Sequence, residues 1–346
     1  MDGFNLKDVP EVVLWIAKIA IIFGGLVGTA ALMSLAERKV SAWMQYRHGP
    51  NRVGPFGLLQ PLADGIKFIF KEELIPEGAN KFLFRLAPAL AAIPAMMTIA
   101  VIPIGTIVIA DQVIPFSIAQ VDLGIMYMLA LGGLSVYGAI LGGWASNSKY
   151  SLLGGLRASA QMISYELTLI LSILVVVALS GSLDLQKIVD AQREAGLWNV
   201  FTPFGFLAFV LFTIASFAET NRHPFDFAEC EPELVGGFHT EYSAMRFALF
   251  FLGEYCAMTV MACLNTTLFF GGPSVPFWPE APWFLGILAF LVKAGFFLFL
   301  FIWVRWTLPR FRFDQLMRLG WKVALPIALV NLLVVGAWVA FTTKGS

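Results

Sequence analysis

The chain is expected to be an all-α polytopic membrane protein, with about eight transmembrane helices and amphipathic helices in its inward-facing loops. Three observations carry this. Of its 346 residues 58% are hydrophobic and only 13% charged, against about 25% charged in a soluble domain, and the mean hydropathy is +0.78. Apolar runs of about 20 residues, the length that crosses a bilayer, recur along the chain. The basic residues gather in alternate connections between those runs, as the positive-inside rule requires of a multi-spanning protein.

The first span is read near 12–36. The stretch before it, M-D-G-F-N-L-K-D-V-P-E, is acidic where a signal peptide is basic, so the span is expected to stay. Its exit, A-E-R-K, stands Glu37 and Arg38 where the helix leaves the membrane, a position that also suits an ordinary positive flank. The long connection that follows contains G-L-L-Q-P-L-A-D-G-I-K-F-I-F-K-E at 57–72, with Asp64, Lys67 and Lys71 three and four apart. That spacing predicts an amphipathic helix lying on the membrane face or against a partner.

Further spans are expected near 84–110, 123–145, 157–180, 203–220, 242–270, 283–306 and 321–342, all in one transmembrane domain over 1–346. Pro88, Pro94 and Pro103 should bend or break the second. Gly132, Gly133, Gly138, Gly142 and Gly143 make a small-residue face on the third that lets a neighbouring helix approach, a packing feature first of all.

Seventeen Lys and Arg fall in the first, third, fifth and seventh connections and four in the termini and the even connections, leaving Lys18 and Lys293 inside spans. The odd connections, 37–83 and 219–241 among them, therefore face inward and both termini outward. The setting expected is a bacterial inner membrane, with the mitochondrial inner membrane as the alternative. No net charge is present to point to nucleic acid.

Several charges stand where a bilayer penalises them. Glu166 lies roughly 14 Å along the fourth span, and Glu254 roughly 18 Å along the sixth, at 1.5 Å per residue. Lys293 is near the middle of the seventh. An ionised group at such depth costs about 2.5–3.5 kcal/mol, so each must face protein or water and is a functional candidate. Lys293 has a structural alternative, pairing with one glutamate, while Lys18 is close enough to its span's end to snorkel. Glu219 closes the fifth span, where an acid does nothing for topology, and so is expected to face a cavity. Arg305 ends the seventh span and reads equally as a positive flank.

The stretch 219–246, E-T-N-R-H-P-F-D-F-A-E-C-E-P-E-L-V-G-G-F-H-T-E-Y-S-A-M-R, gathers six carboxylates between two apolar spans. It is either a solvated collar or the wall of a polar cavity. Glu229, Glu231 and Glu233 lack the Asp/Asn/Gly alternation of a calcium loop, so no metal site is expected. They are read as an irregular segment rather than a helix.

His48, His223 and His239 all fall in inward loops, so no pair can clamp a haem within the bilayer. Cys230, Cys256 and Cys263 form neither a cluster motif nor a disulfide framework and read as buried structural residues. No phosphate-binding glycine loop is present. The chain is expected to carry no redox centre of its own.

Two motifs together, the run at 57–72 and P-F-D-F-A-E-C-E-P-E-L-V-G-G at 224–237, resemble the two signatures of a family of respiratory complex I proteins, its quinone-site membrane subunits. That complex is the proton-translocating NADH:quinone oxidoreductase. R-H-G-P-N-R-V-G-P, A-E-R-K and S-Y-E are similar as well, and the likeness runs through most of the chain. The resemblance implies a subunit forming the membrane side of a quinone chamber and coupling quinone reduction to proton translocation. Carried over by position, Glu37, Arg38, Asp64, Lys67, Glu229, Glu231, Glu233 and Arg305 would bind quinone. Glu166, Glu219 and Glu254, with Lys293 as the further candidate, would form a proton pathway. Quinone, either ubiquinone or menaquinone, would be the substrate. Iron-sulfur clusters and FMN would sit in partner subunits, peripheral on the inner face, with antiporter-like subunits in the membrane arm. The competing readings are a homologous membrane anchor of a hydrogenase or formate hydrogenlyase, and a stand-alone ion transporter.

Overall fold

The computed structural model describes residues 11–109, 112–229, 231–275, 278 and 281–343, with the side chains at 11, 109, 112, 113, 231, 232 and 343 excepted. Cys230 and the Glu231 side chain therefore lie outside the described residues. Within them, seven helices are long and apolar enough to cross a membrane, and the eighth expected span is a shorter apolar helix, Pro203–Glu219.

Helix α1 (Glu11–Met44) has 34 residues and so runs about 51 Å, well beyond the ~30 Å of a hydrocarbon core. Glu37 and Arg38 consequently sit inside the helix rather than at its exit. A short helix α2 (Gln60–Phe70) follows in the long connection, with Pro61 in its first turn. Next comes α3 (Lys81–Met97), started by Asn80, whose side chain accepts from the Phe82 and Leu83 amides.

The helix ends far short of 110. Pro88 and Pro94 lie inside it, a 3-10 turn covers Thr98–Val101, and the chain then enters an antiparallel hairpin of β1 (Thr106–Ile109) and β2 (Gln112–Pro115). Thr106 pairs with Pro115 and Ile107 with Ile114. The run read as the end of a span is rich in β-branched residues beyond Pro103, and these favour a pleated strand over a helix. Apart from this hairpin the described secondary structure is helical.

Then follow α4 (Gly124–Ala145), α5 (Lys149–Ser180), α6 (Leu185–Glu194) and α7 (Pro203–Glu219). Helix α5 begins eight residues before the expected 157, so Arg157 stands within it. An amphipathic helix also occurs in the fourth connection. In α6, Leu185, Ile188, Val189 and Gln192 are buried at i, i+3, i+4 and i+7, and Asp184 caps it by accepting from the Gln186 amide. The acidic stretch contains a single helical turn, α8 (Glu231–Leu234), and a 3-10 turn at Gly237–His239, correcting the expectation of wholly irregular chain. The remainder is α9 (Ala244–Phe269), α10 (Trp283–Thr307), α11 (Phe313–Arg318) and α12 (Leu325–Thr343), the last two joined by a π-helical turn at Leu319–Ala324.

Small residues set the helix spacing. A Cβ at Gly138 of α4 would stand 2.6 Å from that of Ala91 on α3, and one at Gly143 would stand 2.5 Å from the Ser151 carbonyl of α5. At the start of α5, Gly154 admits the backbone of Gly237 and Phe238, which seats the acidic stretch directly on the helix. Fully buried Tyr165, Phe212, Phe269, Phe290 and Phe297 fill the core that α1, α5, α7, α9 and α10 share.

Candidate functional site

Three glutamates expected in one proton pathway and Glu229, expected at the quinone, line one cavity. Glu166 of α5, Glu219 at the end of α7, Glu254 of α9 and Glu229 of the acidic stretch all line a space of about 120 Å³ whose other walls are mostly apolar. That volume holds several waters and no large ligand. Gly133 of α4 makes room for Glu166, since a Cβ there would be 3.3 Å from its Oε1. Glu219 is buried, and its Oε2 has no hydrogen-bond partner among the described groups. The last helices brace α5 beside Glu166: the Tyr165 hydroxyl donates to the Leu316 carbonyl at 3.0 Å, and the Trp321 indole donates to Ser164 Oγ at 3.0 Å.

A second cavity, of about 530 Å³, opens at the C-terminal end of α1. It is lined by Glu37, Arg38, His48, Tyr255 and Arg305 among others, and its size is that of a small-molecule pocket. Glu37 is the hub here. It is buried, pairs with Arg305 through Oε1, and accepts from the Tyr255 hydroxyl at 2.6 Å through Oε2.

Arg222 joins the two cavities. Its guanidinium is buried, lies 3.5 Å from Glu37 Oε2 and 2.9 Å from Glu254 Oε1, and stacks over the Tyr255 ring at 4.4 Å. The contact to Glu254 is an ion pair without hydrogen-bond alignment, because Nε counts no hydrogen-bond partner. Burial opposes the charge of Arg222, but Glu254, Tyr255, Glu37 and Glu229 outweigh it and push its pKa above the ordinary arginine value. One permanent cation is thus shared between a carboxylate of the open cavity and one of the deep cavity. Sequence reasoning singled out neither Arg222 nor Tyr255. The only signals were that Arg222 follows Glu219 by three residues and that Tyr255 adjoins Glu254.

The other predicted residues divide. Arg38 pairs with Asp64 at 2.8 Å, and Gln60 donates to the same carboxylate at 3.1 Å, fixing α2 against α1. Lys67 is exposed on α2. Glu229 turns into the deep cavity and bonds His239 at 3.0 Å, whereas Glu233 faces away, more than half exposed, in an ion pair with Arg157 at 2.5 Å. Lys293 pairs with none of the described glutamates. Its ammonium donates to the carbonyls of Phe270, Gly272 and Ser274 at 2.8, 3.0 and 2.7 Å and lies over the Trp198 ring, holding the turn that follows α9.

A further buried cluster ties the acidic stretch to the segment after α10. Asp226 accepts from Arg310 at 2.9 Å and lies 3.1 Å from His223 Nε2. Burial pushes the Asp226 carboxyl up, but the hydrogen bond and charge of His223 and the charges of Arg310 and Arg305 outweigh it and hold the group below the usual aspartate range. Among the described residues no group of three or more His, Cys, Asp and Glu side chains is arranged to hold a metal ion.

Known proteins share this sequence along most of its length. Residues 17–336 match the family described as NADH dehydrogenase. The H subunit of the NADH-quinone oxidoreductase of Leptospira biflexa is 50% identical over 351 residues, covering 98% of each chain. An H subunit of the NADH-quinone oxidoreductase of Geobacter sulfurreducens is 54% identical over 324 residues, covering 93% of this chain and 95% of its own. Subunit 8 of the NADH-quinone oxidoreductase of Rhodothermus marinus is 49% identical over 350 residues, covering 96% and 99%. These names accord with the complex I resemblance and not with a hydrogenase anchor or a stand-alone transporter. With its helices long and apolar enough to span a bilayer and this similarity along nearly its whole length, the chain is an integral membrane protein that belongs to the NADH dehydrogenase family.

Proposed function

We propose that this chain forms the membrane wall of the quinone chamber in a proton-translocating NADH:quinone oxidoreductase, and that it transmits the charge change of quinone reduction into the membrane through Arg222. The observation that carries this is the shared guanidinium between Glu37 and Glu254. When a proton is drawn from the Tyr255–Glu37–Arg305 group toward a reduced quinone, the field on Arg222 changes, and Glu254 feels that change at 2.9 Å. Glu254, Glu219 and Glu166 line one space, so a proton taken or released at one alters the other two.

In this reading Glu37, Arg38 and Arg305 border the quinone headgroup, Asp64 and Lys67 line the approach along α2, and Glu229, Glu219, Glu254 and Glu166 are the proton path. Glu231 and Glu233 belong to the rim of the chamber, and Lys293 holds the turn after α9. The chain supplies no redox centre. NADH oxidation by FMN and the iron-sulfur clusters belongs to peripheral partner subunits on the inner face, and antiporter-like subunits continue the path in the membrane. The bacterial relatives support a bacterial inner membrane, with basic loops inward and termini outward.

The test is purification in mild detergent through a tag on this chain. NADH:quinone reductase activity and iron-sulfur subunits should travel with it. A chain that purifies alone and transports ions by itself would overturn the reading.

A further inference from the structure

His239 is the one histidine among the described residues that contacts a carboxylate of the deep cavity. It closes the 3-10 turn Gly237–His239, which Gly154 of α5 holds in place by admitting its backbone. Its Nε2 is 3.0 Å from Glu229 Oε1, within the range over which a proton passes directly. The imidazole is caged by aromatic rings, with centroids 5.1 Å away for Phe238, 5.2 Å for Phe247 and 5.9 Å for Phe251. Its side chain is only 11% exposed. Phe251 also lines the open cavity around Glu37, so the ring stands between the two spaces.

The ionisable groups facing this pair are few. Glu229 bonds the ring directly, and the charges of Arg222 and Glu254 act on Glu229. From α9 only Phe247 and Phe251 meet the imidazole, while Arg246 of that helix is engaged with Glu73 at 2.8 Å. Glu241 follows two residues on and is partly buried. An imidazole is the side chain whose ordinary titration falls between pH 5 and 8, which suits it to load protons from a neutral aqueous phase.

We propose that His239 is the proton-loading residue of the deep cavity. The imidazolium gives its Nε2 proton to the Glu229 carboxylate: the N–H bond breaks, an O–H bond forms, and a neutral imidazole faces a neutral acid. A hydronium ion at the inner face then reprotonates the ring and leaves water. The inference rests on the functional reading above, and it adds an inner-face entry that the Arg222 link does not provide.

The experiment uses the whole complex purified through this chain, carrying His239→Asn or His239→Ala. His239→Asn keeps a donor to Glu229 but cannot titrate. It should lower NADH:quinone turnover about tenfold or more and flatten the pH dependence of that turnover. NADH oxidation by a water-soluble artificial acceptor should stay unchanged. Imidazole added to His239→Ala should restore part of the quinone turnover. A wild-type pH profile in His239→Asn would overturn the assignment, as would equal loss with both acceptors at every pH without rescue by imidazole. An unmodified complex that reduces no quinone would remove the functional reading, and this assignment with it.

Discussion

Glu37 and Glu254 are 217 residues apart in sequence, yet they share one guanidinium. Burying three charges is costly, and the arrangement persists because each carboxylate meets a cation and Glu37 also accepts from Tyr255. Removing the cation would leave Glu254 buried without its ion-pair partner and Glu37 with Arg305 alone. Breaking such a pair costs about 3–5 kcal/mol, so Arg222→Ala should lower the thermal stability of the complex and its quinone turnover together. Glu254→Gln leaves Arg222 paired with Glu37, and should preserve assembly while reducing proton translocation per quinone. Measuring subunit content beside the pumping ratio separates the two. A Glu254→Gln complex with full pumping would remove Glu254 from the path.

At the scale of the element, the acidic stretch is positioned by what its neighbours lack. Gly154 has no side chain where Gly237 and Phe238 cross α5, and Gly138 has none where Ala91 of α3 crosses α4. Overpacking a close contact costs about 1–3 kcal/mol, so Gly138→Leu should push α3 from α4 and lower the Tm of the purified complex. Gly132→Leu is the matching control, because nothing lies within 4 Å of a Cβ there. Equal Tm losses in the two variants would show that the Gly138 contact does not set the spacing. The small-residue face of α4 was legible in the sequence; which of its glycines touch a neighbour was not, because that depends on the rotation of each helix about its axis.

For the whole molecule, the long α1 and α5 exceed a bilayer's thickness, and the C-terminal excess of α1 carries Glu37 and Arg38. The open cavity lies on the side where the basic connections gather, and this orientation is testable. In a chain carrying Cys230→Ser, Cys256→Ser and Cys263→Ser, a cysteine at exposed Tyr150 should react with a membrane-impermeant maleimide only from the inner side of vesicles. One at exposed Leu197 should react only from the outer side. Labelling of both from one side would refute the orientation.

The division between what was readable from sequence and what was not follows the range of the forces involved. Hydropathy and charge are summed over local windows, so the membrane-spanning α class, the breaks at the proline-rich segment, the helix at 60–70 and the anomalous depth of Glu166, Glu254 and Lys293 all show in the chain itself. The hairpin at 106–115 was missed because an apolar run reads alike as a span or a strand when its β-branched content is not weighed. Pairing is decided in three dimensions. Nothing local distinguishes Glu229, which turns into the deep cavity, from Glu233, which meets Arg157 at the surface, or tells that Lys293 meets the carbonyls of the turn after α9. Only the packing of α1, α7 and α9 around Arg222 joins the open cavity to the deep one, because an ion pair depends on distance in space and not on separation along the chain.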